Sequence, residues 1–150
     1  MFCDASGRAD PVTGRELGMI LGDAPSLRLV VLNACEGSLA SEANAFAGTA
    51  EVLVQQGIPA ALAMQAQFSD AAAITLSREF YAAVADGYPV DAALTEARKA
   101  ISTRHKNGEW GIPRLVMHAG DGMLWEMDAP AATQDALVAQ AVDTSLTILV

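Results

Sequence analysis

Three scarcities narrow the choices before any motif is sought. The first is cysteine: only Cys3 and Cys35 occur in 150 residues. Two thiols cannot make a disulfide framework, and without a CxxC pair or a Cys/His cluster there is no structural zinc site, so a reducing compartment fits best. The second is basic charge. Nine Lys and Arg stand against eighteen Asp and Glu, a formal charge of −9 that repels phosphate backbones and argues against a nucleic-acid role. The third is long apolar runs: no stretch approaches the ~20 residues of a membrane span. Met1-Phe2-Cys3-Asp4 also lacks the basic start of a secretory signal. No membrane partner is expected, and the cytoplasm is the expected location. What is present, 52% hydrophobic and 18% charged side chains, describes one compact domain. A chain of this size buries roughly 70% of its unfolded surface and needs no covalent staple.

The pattern along the chain is that of alternating strands and helices. Thr13-Gly14-Arg15-Glu16 is a capping box opening a short helix with Leu17, Ile20 and Leu21 inward, ended by Gly22 and Pro25. Leu27 to Leu32 is a branched, nearly continuous apolar run, a buried parallel strand that stops at Asn33-Ala34-Cys35-Glu36-Gly37-Ser38. Apolar residues at helical spacing follow from about Asn44 to Gln56, closed by Gly57 and Pro59. Ile58 to Met64 is alanine-rich but too short between its breakers for another helix, so it reads as a second strand and completes a βαβ unit.

Ser69 or Asp70 caps a long helix with the stripe Ala73, Ile74, Ser77, Phe80, Tyr81 and Val84, and another helix runs from Val90 through Ile101. Arg114 to His118 reads as a strand, and Gly120-Asp121-Gly122 as a hairpin turn into Met123-Leu124-Trp125. After Arg114 the chain holds five acids and no Lys or Arg. Residues 131–150 contain a possible helix and an apolar terminus, Leu146 to Val150, to which the pattern gives no role. If nothing covers it, the strand at Leu27 to Ala34 has an open edge with Arg28 as its only charge, and self-association through that edge is expected.

The informative residue is Cys35, at the C-terminal end of a buried parallel strand, where open α/β sheets place reactive groups. Its plain alternative is a small buried hydrophobe that happens to end a strand. As a nucleophile it needs a base to form the thiolate and amide donors for the oxyanion, and Gly37 lets backbone amides approach. His105 lies among Arg104, Lys106 and Asn107 at a helix end, where a cation ordinarily complements the dipole. His118 ends a strand and is placed on the reactive edge, several strands from Cys35. Asp70 is a helix cap, a substrate carboxylate, or both. Glu36 beside the thiol raises its pKa unless turned away, and is read as loop-structural or substrate-facing.

Leu29-Val30-Val31-Leu32-Asn33-Ala34-Cys35-Glu36-Gly37 is followed by Phe46-Ala47-Gly48, Gly57-Ile58-Pro59-Ala60 and Phe68-Ser69-Asp70. Phe80-Tyr81-Ala82-Ala83, Asp91 to Arg98, and Trp110-Gly111-Ile112-Pro113 continue the series. In order and spacing these resemble the second half of a CHAT domain, a caspase-like peptidase module often joined to tetratricopeptide repeats. The resemblance covers about residues 4 to 126. It implies an α/β, caspase-like (caspase/haemoglobinase-type) three-layer sandwich with a mainly parallel sheet, its N-terminal strands missing, over 1–126, followed by an acidic tail at 127–150.

By that resemblance Cys35 corresponds to the nucleophile of a cysteine endopeptidase. Gly37 belongs to the oxyanion site, and Asp70 and Glu36 face a peptide substrate, with Asp70 receiving a basic side chain before the cut. The family's base is a histidine in a His-Gly pair upstream of the segment matching Met1 to Asp10, and no His-Gly pair occurs in this sequence. The chain is therefore expected to be inactive alone. A tetratricopeptide region in cis or in trans is the implied partner. No cofactor is expected, since there is neither a phosphate-binding glycine loop nor a metal cluster. Two other readings stand beside this one: a non-catalytic interaction module built on the same fold, and a flavodoxin-like cysteine hydrolase with a nucleophile elbow at Cys35.

Overall fold

The computed structural model describes residues 2–3, 9–10, 12–33, 40–118, 120–125 and 146–149. Among the described residues six strands and four helices follow in chain order: β1 (Phe2–Cys3), β2 (Ala9–Asp10), α1 (Gly14–Gly22), β3 (Leu29–Leu32), α2 (Ala40–Gln55), β4 (Ala60–Met64), α3 (Asp70–Ala85), α4 (Val90–His105), a 3-10 turn at Glu109–Gly111, β5 (Pro113–Met117) and β6 (Leu146–Leu149). β1 and β2 form a small antiparallel pair with Phe2 opposite Asp10. The other four strands make one mixed sheet in the order β5-β4-β3-β6. β3 runs parallel to β4, Leu29 opposite Ala60 and Leu32 opposite Ala63, and β5 runs antiparallel to β4, Met64 opposite Pro113.

The sheet buries both faces, which is why its two central strands read as unbroken apolar runs. Leu29 and Val31 of β3 join Ala60, Leu62 and Met64 of β4 in a cluster with Phe68, Leu76 and Phe80 of the α3 segment and Val90, Leu94, Ala97 and Ile101 of α4. The alternate residues Val30, Leu32, Ala61 and Ala63 face the other way, toward Leu17 of α1 and Ala50, Leu53 and Val54 of α2. The alanine-rich β4 is a strand despite its helical propensity because both its neighbours and both helical layers require a narrow, fully buried strand there. All five of its residues are buried.

Side-chain caps open α1 and α3, at Thr13 and Ser69. Thr13 accepts from the Glu16 N–H at 3.3 Å while Glu16 Oε2 accepts from the Thr13 N–H at 2.8 Å, completing the expected box. The inward face of α1 differs from the expected stripe: Leu17 and Gly18 are buried, whereas Ile20 is 59% exposed. Gly18 decides this. A Cβ there would lie 1.5 Å from Oε1 at the tip of the exposed Gln56 side chain and 3.4 Å from Leu53 Cδ2, so α1 meets α2 at Gly18 with the Gln56 side chain laid over it. In α3 the buried set is Ala72, Thr75, Leu76, Phe80, Ala83 and Val84, and Ile74 is 69% exposed. The helix is rotated from the Ala73–Ile74–Ser77 face because Thr75 satisfies its hydroxyl locally, by donating to the Ala71 carbonyl at 3.0 Å, and so enters the interior.

Two expectations are corrected at the C-terminal end. Gly120 to Gly122 does not turn a hairpin. The Gly122 carbonyl instead accepts the Val90 N–H at 3.0 Å, and Leu124 and Trp125 pack on the α3–α4 core rather than pairing as a strand. The expected open edge at β3 is also absent. β6 lies parallel to it, Leu29 opposite Leu146 and Leu32 opposite Leu149, so β3 is central and β6 is the outer strand. The apolar terminus thereby acquires a role that its sequence alone did not specify.

Candidate functional site

The polarity of the four strands defines two distinct sheet ends. The C-terminal ends of β3, β4 and β6 and the N-terminal end of β5 share one of them, through the pairs Leu32–Ala63, Leu32–Leu149 and Met64–Pro113. Cys35 follows Leu32 by three residues in the chain. Cys35, Glu36 and Gly37 lie outside the described residues, and half-buried Asn33 is the last described position before them.

At this same end β4 leads through Phe68, 2% exposed, into Ser69 and α3. Ser69 is the helix cap. Its Oγ accepts the Ala72 N–H at 3.3 Å, which releases Asp70 from that task. Asp70 opens α3 with an exposed carboxylate that has no hydrogen bond or ion pair among the described residues. Of the two alternatives for Asp70, capping thus belongs to its neighbour, and the acid is left facing solvent at the sheet end that precedes Cys35.

A residue that the sequence did not single out holds this corner together. Glu109, in the turn before β5, accepts the Ser69 N–H at 2.7 Å and the Ser69 hydroxyl at 2.9 Å, and takes a further bond from the Asn107 amide. Partial burial pushes the Glu109 carboxyl up, but the Ser69 N–H, the Asn107 amide, the Ser69 hydroxyl and the nearby His105 together hold it below its ordinary value. Glu109 joins two segments 40 positions apart, and no local pattern encodes such a bond. The only sequence signal is its place between the Asn107-Gly108 turn and Trp110, whose side chain is 49% exposed.

The two histidines are both accounted for. His105 Nε2 lies 2.9 Å from the Oγ1 of buried Thr75, which itself donates to Ala71, so the ring nitrogen is the donor of that contact. Its environment ties the end of α4 to the first turns of α3. His118 is not at the sheet end toward which β3 runs. Because β5 is antiparallel, the strand's C-terminus points away from it, and the His118 N–H donates to the Pro59 carbonyl at 3.1 Å, beside the N-terminus of β4. Placing His118 on the reactive edge assumed a parallel strand. Among the described residues no group of three or more His, Cys, Asp or Glu could hold a metal ion, and no helix is long and apolar enough to cross a membrane.

The described residues thus give a mixed α/β sheet with helices on both faces, one end of which carries the exposed Asp70 and the Ser69–Glu109 bonds. The family model for the CHAT domain matches residues 1–136, and the chain belongs to that family, as the resemblance read from the sequence implied. No curated protein and no solved structure matches the chain.

Proposed function

We propose that this chain carries the nucleophile-bearing part of a caspase-like cysteine endopeptidase domain, with a three-layer caspase-type sandwich and Cys35 as nucleophile. Strand polarity supports this reading: β3 runs toward the end of the sheet where Ser69, Asp70 and Glu109 gather, Cys35 follows Leu32 by three residues in the chain, and His118 stands at the other end. The Cys35 thiolate attacks the scissile carbonyl carbon, a C–S bond forms, and the carbonyl oxygen takes the negative charge under amide donors at Gly37. The C–N bond then breaks as the amine takes a proton from the base, and water hydrolyses the thioester. Asp70 receives a Lys or Arg side chain of the peptide, and Glu36 faces the same substrate.

The base comes from outside residues 1–150. His105 Nε2 is engaged by Thr75 and His118 is at the far end, and a thiol without a base, at its free value of ~8.5, is only a few per cent ionised near neutrality. A tetratricopeptide region, in cis or in trans, and a cytoplasmic setting belong to the same proposal. The same placement of the histidines favours one second reading, an interaction module that keeps the fold without the chemistry.

Peptide substrates with a basic residue before the cut separate the two. Complementation of the chain with an upstream His-Gly-bearing segment of a CHAT domain should yield cleavage that Cys35→Ala abolishes, while the chain alone gives none. Absence of cleavage after a stable complex has formed favours the interaction module. Cleavage by the chain alone that persists in Cys35→Ala removes the peptidase reading altogether.

A further inference from the structure

Asparagine occurs three times in the chain, at 33, 44 and 107, and only Asn107 is followed by glycine. Asn107 is exposed in the turn between α4 and β5, and both its neighbours lie in the left-handed region, Lys106 with φ of 46° and Gly108 with φ of 81°. Its Oδ1 accepts the Glu109 N–H at 3.3 Å, which folds the side-chain amide back over the intervening Gly108 nitrogen. Gly108 is exposed, has no side chain to shield that nitrogen, and its N–H makes no hydrogen bond among the described residues. On the other side of the amide, Asn107 Nδ2 donates to Glu109 Oε2, the oxygen that also accepts the Ser69 hydroxyl.

We infer that Asn107 is a site of spontaneous chemical modification, conversion to aspartate and isoaspartate, and that the modified residue releases Glu109 from Ser69. The Gly108 nitrogen, having lost its proton to hydroxide, forms a bond to Asn107 Cγ. The Glu109 N–H already on Oδ1 supports the negative charge which that oxygen acquires. The Cγ–Nδ2 bond then breaks, the nitrogen leaves as ammonia with a proton taken from water, and a cyclic imide remains. Water adds to either imide carbonyl: opening at one restores an ordinary peptide bond with an aspartate side chain, and opening at the other routes the main chain through Cβ. In sum an amide and water become an acid and ammonia, with no oxidant or reductant. Both products lack the Nδ2 donor and set a second carboxylate against that of Glu109, and like charges at such range repel. Glu109 is thereby turned from the Ser69 N–H and hydroxyl, so a change at 107 reaches the first turn of α3. The inference does not rest on the role of Cys35.

Incubation of the full chain for several weeks at mildly alkaline pH tests the site, followed by peptide mass spectrometry with fragmentation that separates isoaspartate from aspartate. Asn107 should convert ahead of Asn33 and Asn44, with isoaspartate the larger product. The Tm of the incubated chain should fall by about 2–4 °C in step with conversion, as the loss of one charge-assisted bond predicts for a chain of this size. Asn107→Gln, whose longer side chain would have to close a larger ring, should keep its Tm through the same incubation, and freshly purified Asn107→Asp should begin at the lowered Tm. In Glu109→Ala, where no anchor is left to release, conversion should leave Tm where it began. An intact Asn107 at the end of the incubation overturns the site. Conversion without a fall in Tm, or an equal fall in Asn107→Gln, overturns its link to Ser69.

Discussion

The Glu109 carboxylate and Ser69 are joined twice, by the Ser69 N–H at 2.7 Å and its hydroxyl at 2.9 Å. The cap of α3 is thus itself capped, and the end of β4 is tied to the start of β5. Hydrogen bonds to a charged group are worth about 1.5–3 kcal/mol when partly buried, and solvent around Glu109 places this pair toward the lower end. Glu109→Ala should lower Tm by several degrees, given about 2–4 °C per kcal/mol for a chain of this size.

The same carboxylate has a pH signature. Its folded pKa is held below the ordinary 4.5, so its contribution is complete above that value and is lost as pH falls through the folded one. Thermal melts between pH 6 and 3 should show the parent losing Tm more steeply at the acid end than Glu109→Gln, which has no carboxylate to protonate. Parallel curves would assign the acid sensitivity to other groups.

Tyr81 sets an alkaline limit. Burial against the α3–α4 core pushes its phenol up to about 12. A raised folded value means stability that is whole below the unfolded value of about 10 and is lost as pH rises from there through about 12. Tyr81→Phe should flatten the fall of Tm over that window, measured by circular dichroism. It should have little effect near neutrality, because the ring's T-shaped contact with Phe80, centroids 5.5 Å apart, survives the change.

His118 provides a test of strand polarity. If the reactive thiol follows β3, His118→Ala leaves the pH profile of Cys35 alkylation unchanged in a Cys3→Ala background, followed by mass spectrometry. A shift of that profile by half a unit or more would put His118 near the thiol and contradict the antiparallel placement of β5.

Gly122 has φ of +74°, and a Cβ there would meet Asp91 Oδ1 at 2.6 Å and Pro89 Cβ at 3.1 Å. Its carbonyl also receives the Val90 N–H at the start of α4. Gly122→Ala should therefore destabilise the chain by about 1–2 kcal/mol, the left-handed penalty plus the displacement of Asp91. Chemical denaturation should show it as a lower midpoint with an unchanged slope.

What could be read ahead was what nearest neighbours determine. The Thr13–Glu16 box, the apolar run of β3 and the Gly57–Pro59 break before β4 are local, and each stands where its residues indicated. The strand that leads toward Cys35 was legible for the same reason, while Cys35 itself lies outside the described residues. The direction of β5 was not, because antiparallel and parallel strands share one composition. Its direction moved His118 to the other end of the sheet. Nor was β6, whose four residues acquire meaning only through β3, more than a hundred positions earlier. Glu109 escaped notice likewise, since its partner Ser69 is forty residues away. The faces of α1 and α3 were misjudged where a glycine and a self-satisfied threonine replaced the bulky apolar residues that periodicity counts.

The reversal of β5 also decides which parts of this chain can be rewritten independently. In an all-parallel sheet, loops that follow strands shape the site. Here the connection that enters β5, residues 106–112, reaches the end where β3 and β4 finish, whereas the connection that leaves it at His118 opens on the far side. Sequence diversity grafted between Lys106 and Ile112 would remodel what the Asp70 corner meets, provided the Glu109 anchor to Ser69 is kept. A label or fused domain inserted around Gly120 and Asp121 would sit at the opposite pole, so recognition and attachment can be engineered separately in one small domain.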